Sequence, residues 1–575
     1  MRKELLAKTI VIFIAITLLL TSCAKSQQDA SALDNAQENS QTNPPDLKNS
    51  SVTNMTTPGI LPIVEEPVTL KLGIPQHTLI TDYTDNAFTK WIEEQTNIKL
   101  NFELFPSTDA AQKLEIMISS NSELPEVLMG FGISDKGRFN YGGNGVLLAL
   151  NNYFKKYSYY FNEGLKVIKD PIERENVLKY ITSPDGNIYG FPSYSDQIYD
   201  RWSGRWYINK KWLDTLSLDI PKTTDDMYNI LKAFKEQDPN RNNKEDEIPL
   251  IGSKSRSDQF PQKIIMNAFI YDDGNDRWLV DNGKLDVAYN KEGWREGLRY
   301  MRKLCKESLF SPLTFSQDAA QFKSLTDLPE DKPTIVGLWP GAPSGGFSNT
   351  NVKKLEYVAQ PPLTGPDGIC YSPYVPPTNN ANTYITKYCK HPEIAFRLFD
   401  FFWMEEASLR GRYGIKGEHW NYAPEGSKSL FATLTDLKIP ASITQDKTVW
   451  GTSNNIIWAG GNPWFIPSKM MDGIVMDMND PLAGLIMVTK AVPNYIGKKP
   501  PQTVDKLIFD DEELDEITDI KNTINTYVNE SLARFIVGDL DIEKDWDKYI
   551  KDLDQMGLDR YIEIAQGCYN RMNKK

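Results

Sequence analysis

Histidine is nearly absent: His77, His391 and His419 are the only three in 575 residues. A His-based metal centre or a Ser/His/Asp triad has little material to draw on. Cysteine is scarce too. Cys305, Cys370, Cys389 and Cys568 are widely spaced, with no Cys-x-x-Cys pairing, so neither a zinc site nor a dithiol motif is indicated. One or two disulfides and four separate thiols both remain open. After the first 22 residues no apolar run is long enough to span a bilayer. Positive charge is in deficit. The formal charge is -13, and removing the leader, with three basic residues and one acidic, leaves about -15. That argues against nucleic acid as a partner. The chain has no Walker loop, HExxH, Gly-x-Ser-x-Gly elbow, strand-following GxGxxG or internal repeat.

What is present starts at the amino terminus. Arg2, Lys3 and Lys8 precede the apolar run Thr9 to Leu20, a secretory h-region by length. It ends in Leu20-Thr21-Ser22-Cys23, which resembles a bacterial lipobox. The resemblance implies cleavage before Cys23, diacylation of its thiol and retention at the outer membrane surface. An ordinary signal peptide or an uncleaved anchor is the alternative. Residues 1–22 thus read as a lipoprotein signal peptide. Residues 23–66, rich in Ser, Gln, Asn, Asp, Thr and Pro, read as the lipidated cysteine and a flexible tether.

Beyond the tether the chain is longer than one core normally holds, so two lobes are expected. Val68 to Ile74 alternates in polarity, as does Ile98 to Leu104. Phe88, Trp91 and Ile92 mark a helix between them, and Leu114, Met117 and Ile118 mark another before the short apolar run Leu124 to Gly130. This alternation predicts an α/β lobe with a largely parallel sheet. Ligands of such sheets gather at the carboxyl ends of the strands. Met227, Ile230, Leu231 and Phe234 predict a helix capped by Thr223 or Thr224. His391 to Trp403 is apolar nearly all round, hence a buried helix. Asp510 to Phe535 and two shorter helices close the chain.

Two stretches carry candidate chemistry. Tyr194, Tyr199, Trp202, Trp206 and Tyr207 interleave with Asp196, Asp200, Arg201 and Arg205. Rings beside charged hydrogen-bonding groups suit a sugar cleft, whereas a crossing strand packed between lobes accounts for them equally well. The second stretch is Asp238-Pro-Asn-Arg-Asn-Asn-Lys-Glu-Asp-Glu247. Its oxygen side chains at loop positions 1, 3, 5 and 9 match the start of an EF-hand loop. Asn243 stands where Gly is usual and Pro249 at position 12 leaves no bidentate Glu there. A solvated turn is the plainer reading.

In order along the chain stand Leu124-Pro-Glu-Val, Asp185-Gly-Asn-Ile-Tyr-Gly-Phe-Pro, the Asp238 loop with Ile248-Pro-Leu, Pro361-Pro-Leu-Thr-Gly-Pro-Asp-Gly, Gly414-Ile-Lys-Gly-Glu-His and Trp546 to Arg571. Taken together they resemble the family 1 extracellular solute-binding proteins of carbohydrate ABC importers, in particular the large lipoprotein branch of alginate-binding proteins. The resemblance implies a two-lobed periplasmic-binding-protein-like fold of type II, with lobes joined by crossing hinge strands. It divides the chain into residues 67–195 plus 374–435 as lobe 1 and 196–373 plus 436–575 as lobe 2. It implies a non-catalytic, monomeric receptor with an oligosaccharide ligand and ABC permease subunits as partners. It also implies a structural Ca2+ held by Asp238, Asn240, Asn242, the Lys244 carbonyl, Asp246 and Glu247. By position it places Phe131, Tyr194, Trp202, Trp206, Trp339, Trp458 and Trp464 near the sugar. A secreted polysaccharide-cleaving enzyme, or a sugar sensor or adhesin, is the competing expectation.

Overall fold

The computed structural model describes residues 54–450, 453–478 and 484–573. The leader and Cys23, with most of the tether, lie outside the described residues. The described chain builds two separate hydrophobic cores within one compact unit.

The first lobe begins with β1 (Val68–Gln76), α1 (Ala87–Thr96), β2 (Ile98–Pro106) and β3 (Val127–Met129). Strand β1 pairs parallel with both β2 and β3, so Leu70, Leu72 and Ile74 enter the core from the centre of the sheet. The Asn86 side chain starts α1 by accepting the Phe88 N–H at 3.0 Å. Helices α2 (Asp135–Gly143) and α3 (Pro171–Lys179) follow, then β4 (Phe191–Ser195). The chain crosses through the single turn α4 (Ile198–Arg201).

The second lobe holds β5 (Trp206–Asn209), α5 (Thr224–Glu236), β6 (Ile248–Leu250), α6 (Glu292–Lys306), β7 (Val336–Pro340) and β8 (Tyr357–Gln360), with sheet order β8-β5-β7-β6. Thr223, one of the two residues expected to cap α5, is its N-cap and forms a capping box with Asp226. Residues 361–377 make the return crossing. The chain then adds β9 (Thr378–Ile385), α7 (Pro392–Phe401) and β10 (Phe465–Ile466) to the first lobe, whose sheet runs β10-β4-β9-β3-β1-β2. Every residue of α7 from Glu393 to Phe401 is buried, as its all-round apolarity predicts. Helices α8 (Asp511–Val537), α9 (Ile542–Gln555) and α10 (Leu558–Met572) finish on the second core.

Two expected boundaries move. The fold starts before residue 67: Met55 bridges to Val64, and Ile63 and Val64 are buried. Arg397, itself buried, donates to the Thr56, Thr57 and Ile60 carbonyls at 2.6–3.3 Å and holds this strap on the first lobe. Nor does 436–575 belong wholly to the second lobe. Val449, Ile457, Trp458 and Phe465 pack in the first core, and β10 pairs parallel with β4. The Asn86 amide, donating to the Ile457 carbonyl at 3.0 Å, pins this excursion. Cys305, Cys370, Cys389 and Cys568 are free thiols, so no disulfide supports either lobe.

Candidate functional site

The carboxyl ends of β1, β3 and β4 point toward the crossings. So do the end of β7 and the start of β5, because β5 pairs antiparallel with β7 in the register Trp206 to Pro340. Most of the aromatics expected at a ligand are interior at this junction. Trp206 and Trp339 are fully buried, and Trp339 lies among the rings of Tyr207, Phe347 and Tyr357. Both indole N–H groups nevertheless lack a hydrogen-bond partner, although buried donors are normally satisfied. Phe131 sits edge-on to Phe105 inside the first lobe. Trp458 is also a core residue there: its ring packs against Phe88, Phe102 and Phe402, and Nε1 donates to Thr89 Oγ1 at 2.8 Å. Trp458 lies on a loop, and the return of residues 453–466 to the first core encloses its ring there. Tyr194 is buried on β4 against Phe465, and Trp202 is buried beside the Tyr374 ring at 5.2 Å. Trp464 alone among the seven is half-buried.

The polar layer at the crossings is denser than the interleaved motif suggests. Arg201 Nη2 contacts Glu173 Oε1 at 2.8 Å and stands 3.9 Å from Asp196 Oδ2. Tyr194 Oη donates to Glu173 Oε2 at 3.4 Å. Arg205 Nη1 donates to the carbonyls of Tyr199 and Trp202 at 2.5 and 2.6 Å. Burial pushes the carboxyls of Glu173 and Asp196 up, against the pull of the Arg201 charge. Asp472 is wholly buried. One of its oxygens accepts the Ile198 N–H at 3.1 Å, and the other has no partner. Burial, reinforced by the carboxylates of Asp196 and Asp200, pushes it up to about 8. Gln197 Oε1 is likewise buried without a partner. Such unmet polar atoms are what hydroxyl-rich ligands satisfy.

Two crevices adjoin this layer. The larger, about 580 Å³ including its mouth, is lined by Tyr271, Asp273, Tyr374, Asp505 and Lys506 among others. The smaller, about 330 Å³, lies between Asp135, Arg138 and Tyr180 of the first lobe and Lys506–Phe509 of the second. Lys506 joins them, reaching Asp135 Oδ2 at 3.0 Å and the Tyr180 carbonyl at 2.8 Å. Glu173, Tyr374, Asp472, Asp505 and Lys506 escape sequence reading, since no motif marks them and tertiary packing alone gathers them.

The Asp238 loop stands apart from this layer, between α5 and β6. Asp238, Arg241 and Asn243 adopt left-handed φ of 45–58°. Asn243 therefore takes the conformation for which Gly is usual, as Asn does more readily than most residues. Asp238 accepts the Asn242 and Asn243 N–H groups, while the Asn240 and Asn242 amides donate to Asp246 at 3.0–3.1 Å. Glu247 Oε1 is buried without a partner, and burial, with the charges of Asp246 and Asp238, pushes that carboxyl up. Among the described residues no cluster of three His, Cys, Asp or Glu side chains stands assembled for a metal. The donor set still fits a hard divalent cation. Asp238, Asp246 and Glu247 supply carboxylates within one loop, and a cation would relieve the orphaned Glu247 oxygen and the like-charge crowding.

The model of the bacterial extracellular solute-binding protein family matches residues 77–407. The fructooligosaccharide ABC transporter substrate-binding protein FusA of Streptococcus pneumoniae serotype 4 is 27% identical over 527 residues, 88% of this chain and 91% of FusA. The polygalacturonan/rhamnogalacturonan-binding protein YtcQ of Bacillus subtilis is 28% identical over 219 residues, 37% of this chain and 39% of YtcQ. Among solved structures, S. pneumoniae FusA in complex with kestose superposes with a TM-score of 0.69 at 24% identity, covering 88% of this chain and 99% of that one. The alginate-binding protein AlgQ2, in a structure without calcium ion, gives 0.64 at 20% identity over 88% and 99%. These last two likenesses establish a shared fold.

Proposed function

The chain belongs to the bacterial extracellular solute-binding protein family, and from that premise we propose that it is a lipid-anchored receptor that captures an oligosaccharide between its lobes and delivers it to the permease of an ABC importer. The carrying observation is the junction itself. Two independent cores meet at two crossings, strand ends from both sheets face the gap, and buried Trp206, Trp339, Gln197 and Asp472 hold polar atoms with no protein partner. Unmet donors and acceptors of this kind are what a sugar's hydroxyls satisfy. The naming of FusA as a substrate-binding protein for fructooligosaccharides supports the same reading. Ligand contact with both lobes would favour closure, and the ion pairs of Lys506 with Asp135 and Lys136 with Asp515 link the first lobe to the C-terminal segment. Cys23 would carry the lipid, with the permease as the receiving partner.

The Asp238 loop is proposed to hold a structural Ca2+ through the side chains of Asp238, Asn240, Asn242, Asp246 and Glu247 and the Lys244 carbonyl. An EF-hand mutant of FusA and the AlgQ2 structure without calcium ion point the same way in relatives. The role is to pin the link between α5 and β6.

A thermal-shift screen of the full chain in mild detergent against an oligosaccharide panel, with product analysis of each hit, tests the receptor reading. Stabilisation with the sugar recovered intact supports it. Shortened sugar would move the polysaccharide-cleaving reading to first place.

A further inference from the structure

On the first crossing the Nε atoms of Arg201 and Arg205 are buried without a partner, but the Arg201 nitrogen that both of its bidentate faces share, Nη2, is already taken. Arg201, which faces Glu173, Asp196, Tyr374 and Asp505, gives its Nη2 to Glu173 at 2.8 Å. Arg205 gives Nη1 to two backbone carbonyls. The cations of the adjoining crevices are spoken for as well. Lys506 and Arg138 both hold Asp135, and Lys499 lies over the Tyr374 ring at 3.9 Å. Burial pushes Glu173, Asp196 and Asp505 up, so this layer already disfavours added negative charge. The side chains of Arg201 and Glu173 are each 22% exposed, at the edge of the buried layer rather than in bulk solvent.

We infer that Glu173 is a specificity-determining residue: by occupying Arg201 it withholds the guanidinium from a ligand carboxylate and tunes the cleft to uncharged oligosaccharides. This rests on the receptor reading above. A carboxylate is bound well by a bidentate arginine fork, and Arg201 would be the natural fork here. Glu173 comes from α3 of the first lobe and Arg201 from the crossing. The lock therefore forms from two chain segments, at the edge where a sugar entering between the lobes arrives. A uronate entering beside it meets Glu173, Asp196 and Asp505, with the shared nitrogen of the Arg201 fork already committed to Glu173. Neutral sugar hydroxyls instead donate to these same carboxylates, which prefer such partners to a second negative charge.

The test is isothermal titration of the full chain in mild detergent with three matched probes: a neutral fructo-oligosaccharide or maltotriose, trigalacturonate, and a glucosamine trimer. The wild type is expected to bind a neutral probe at least about tenfold more tightly than trigalacturonate, with the cationic glucosamine trimer as the control of opposite sign. Glu173→Gln, which keeps the shape and frees Arg201, is expected to raise trigalacturonate affinity by about tenfold or more. Adding Arg201→Gln to that variant is expected to abolish the gain. Wild-type binding of trigalacturonate as tight as that of the neutral probes overturns the inference, and this comparison needs no variant to fold. A Gln variant that binds neutral sugar without gaining trigalacturonate also overturns it. Binding of no probe at all, neutral or charged, strikes the receptor reading first and this inference with it.

Discussion

Asp472 offers the sharpest quantitative test of the junction. Its side chain is fully buried where the first crossing begins, with one oxygen on the Ile198 N–H and the other unpartnered. Burial raises its carboxyl from 3.8 to about 8. The folded state therefore holds a proton that the unfolded state releases above pH 4. A raised carboxyl of this kind contributes stability fully present below its unfolded value, and that stability is lost as pH rises toward the folded value. Asp472→Asn keeps the shape and the acceptor for Ile198 but cannot ionise. Relative to wild type, its stability should be nearly equal at pH 4 and should then grow by about 1.4 kcal/mol per pH unit. The span from 3.8 to about 8 sets a ceiling of about 6 kcal/mol, and relaxation of the junction brings the difference below it. Urea unfolding of both proteins at unit intervals from pH 4 to 8 reads this directly. A difference that stays flat with pH would refute the reasoning, because it would mean that Asp472 titrates alike in both states.

Other perturbations discriminate among the sites. Chelation with EDTA should lower the melting temperature and added Ca2+ restore it, while Asp246→Asn should blunt both effects; a melting curve indifferent to Ca2+ would remove the cation from the Asp238 loop. Trp458→Ala should cost about 3–5 kcal/mol in urea unfolding because the ring is enclosed by Phe88, Phe102 and Phe402. Trp464→Ala, at a half-buried site, should cost far less stability and should weaken sugar binding, with calorimetry as the second readout. Arg397→Met should leave the Thr56, Thr57 and Ile60 carbonyls without their donor and destabilise the protein by about 1–3 kcal/mol, and limited proteolysis should then cut first near residue 60.

Periodicity and local chemistry by themselves determined the elements. The alternation of Val68 to Ile74 and Ile98 to Leu104 became paired parallel strands, because a period of two buries one set of side chains whatever the neighbour. Thr223 with Asp226, and the all-round apolar α7, were legible for the same reason: capping and amphipathicity act within a few residues. Asn243 takes the left-handed conformation that a local reading of the Asp238 loop allows it, since that preference is set by its own backbone. Tertiary structure alone decided what the aromatic residues do. Trp206, Trp339 and Trp458 read as cleft residues by position yet are fully buried, because burial depends on which distant segments close over a ring. The return of residues 449–466 to the first core likewise hangs on long-range contacts, the Asn86 amide on the Ile457 carbonyl and the Trp458 indole on Thr89. The pairing of Glu173 with Arg201, and the meeting of Asp472 with the crossing, join residues 28 and 274 positions apart. No local propensity encodes such pairs; they exist only when two cores pack against the same crossings.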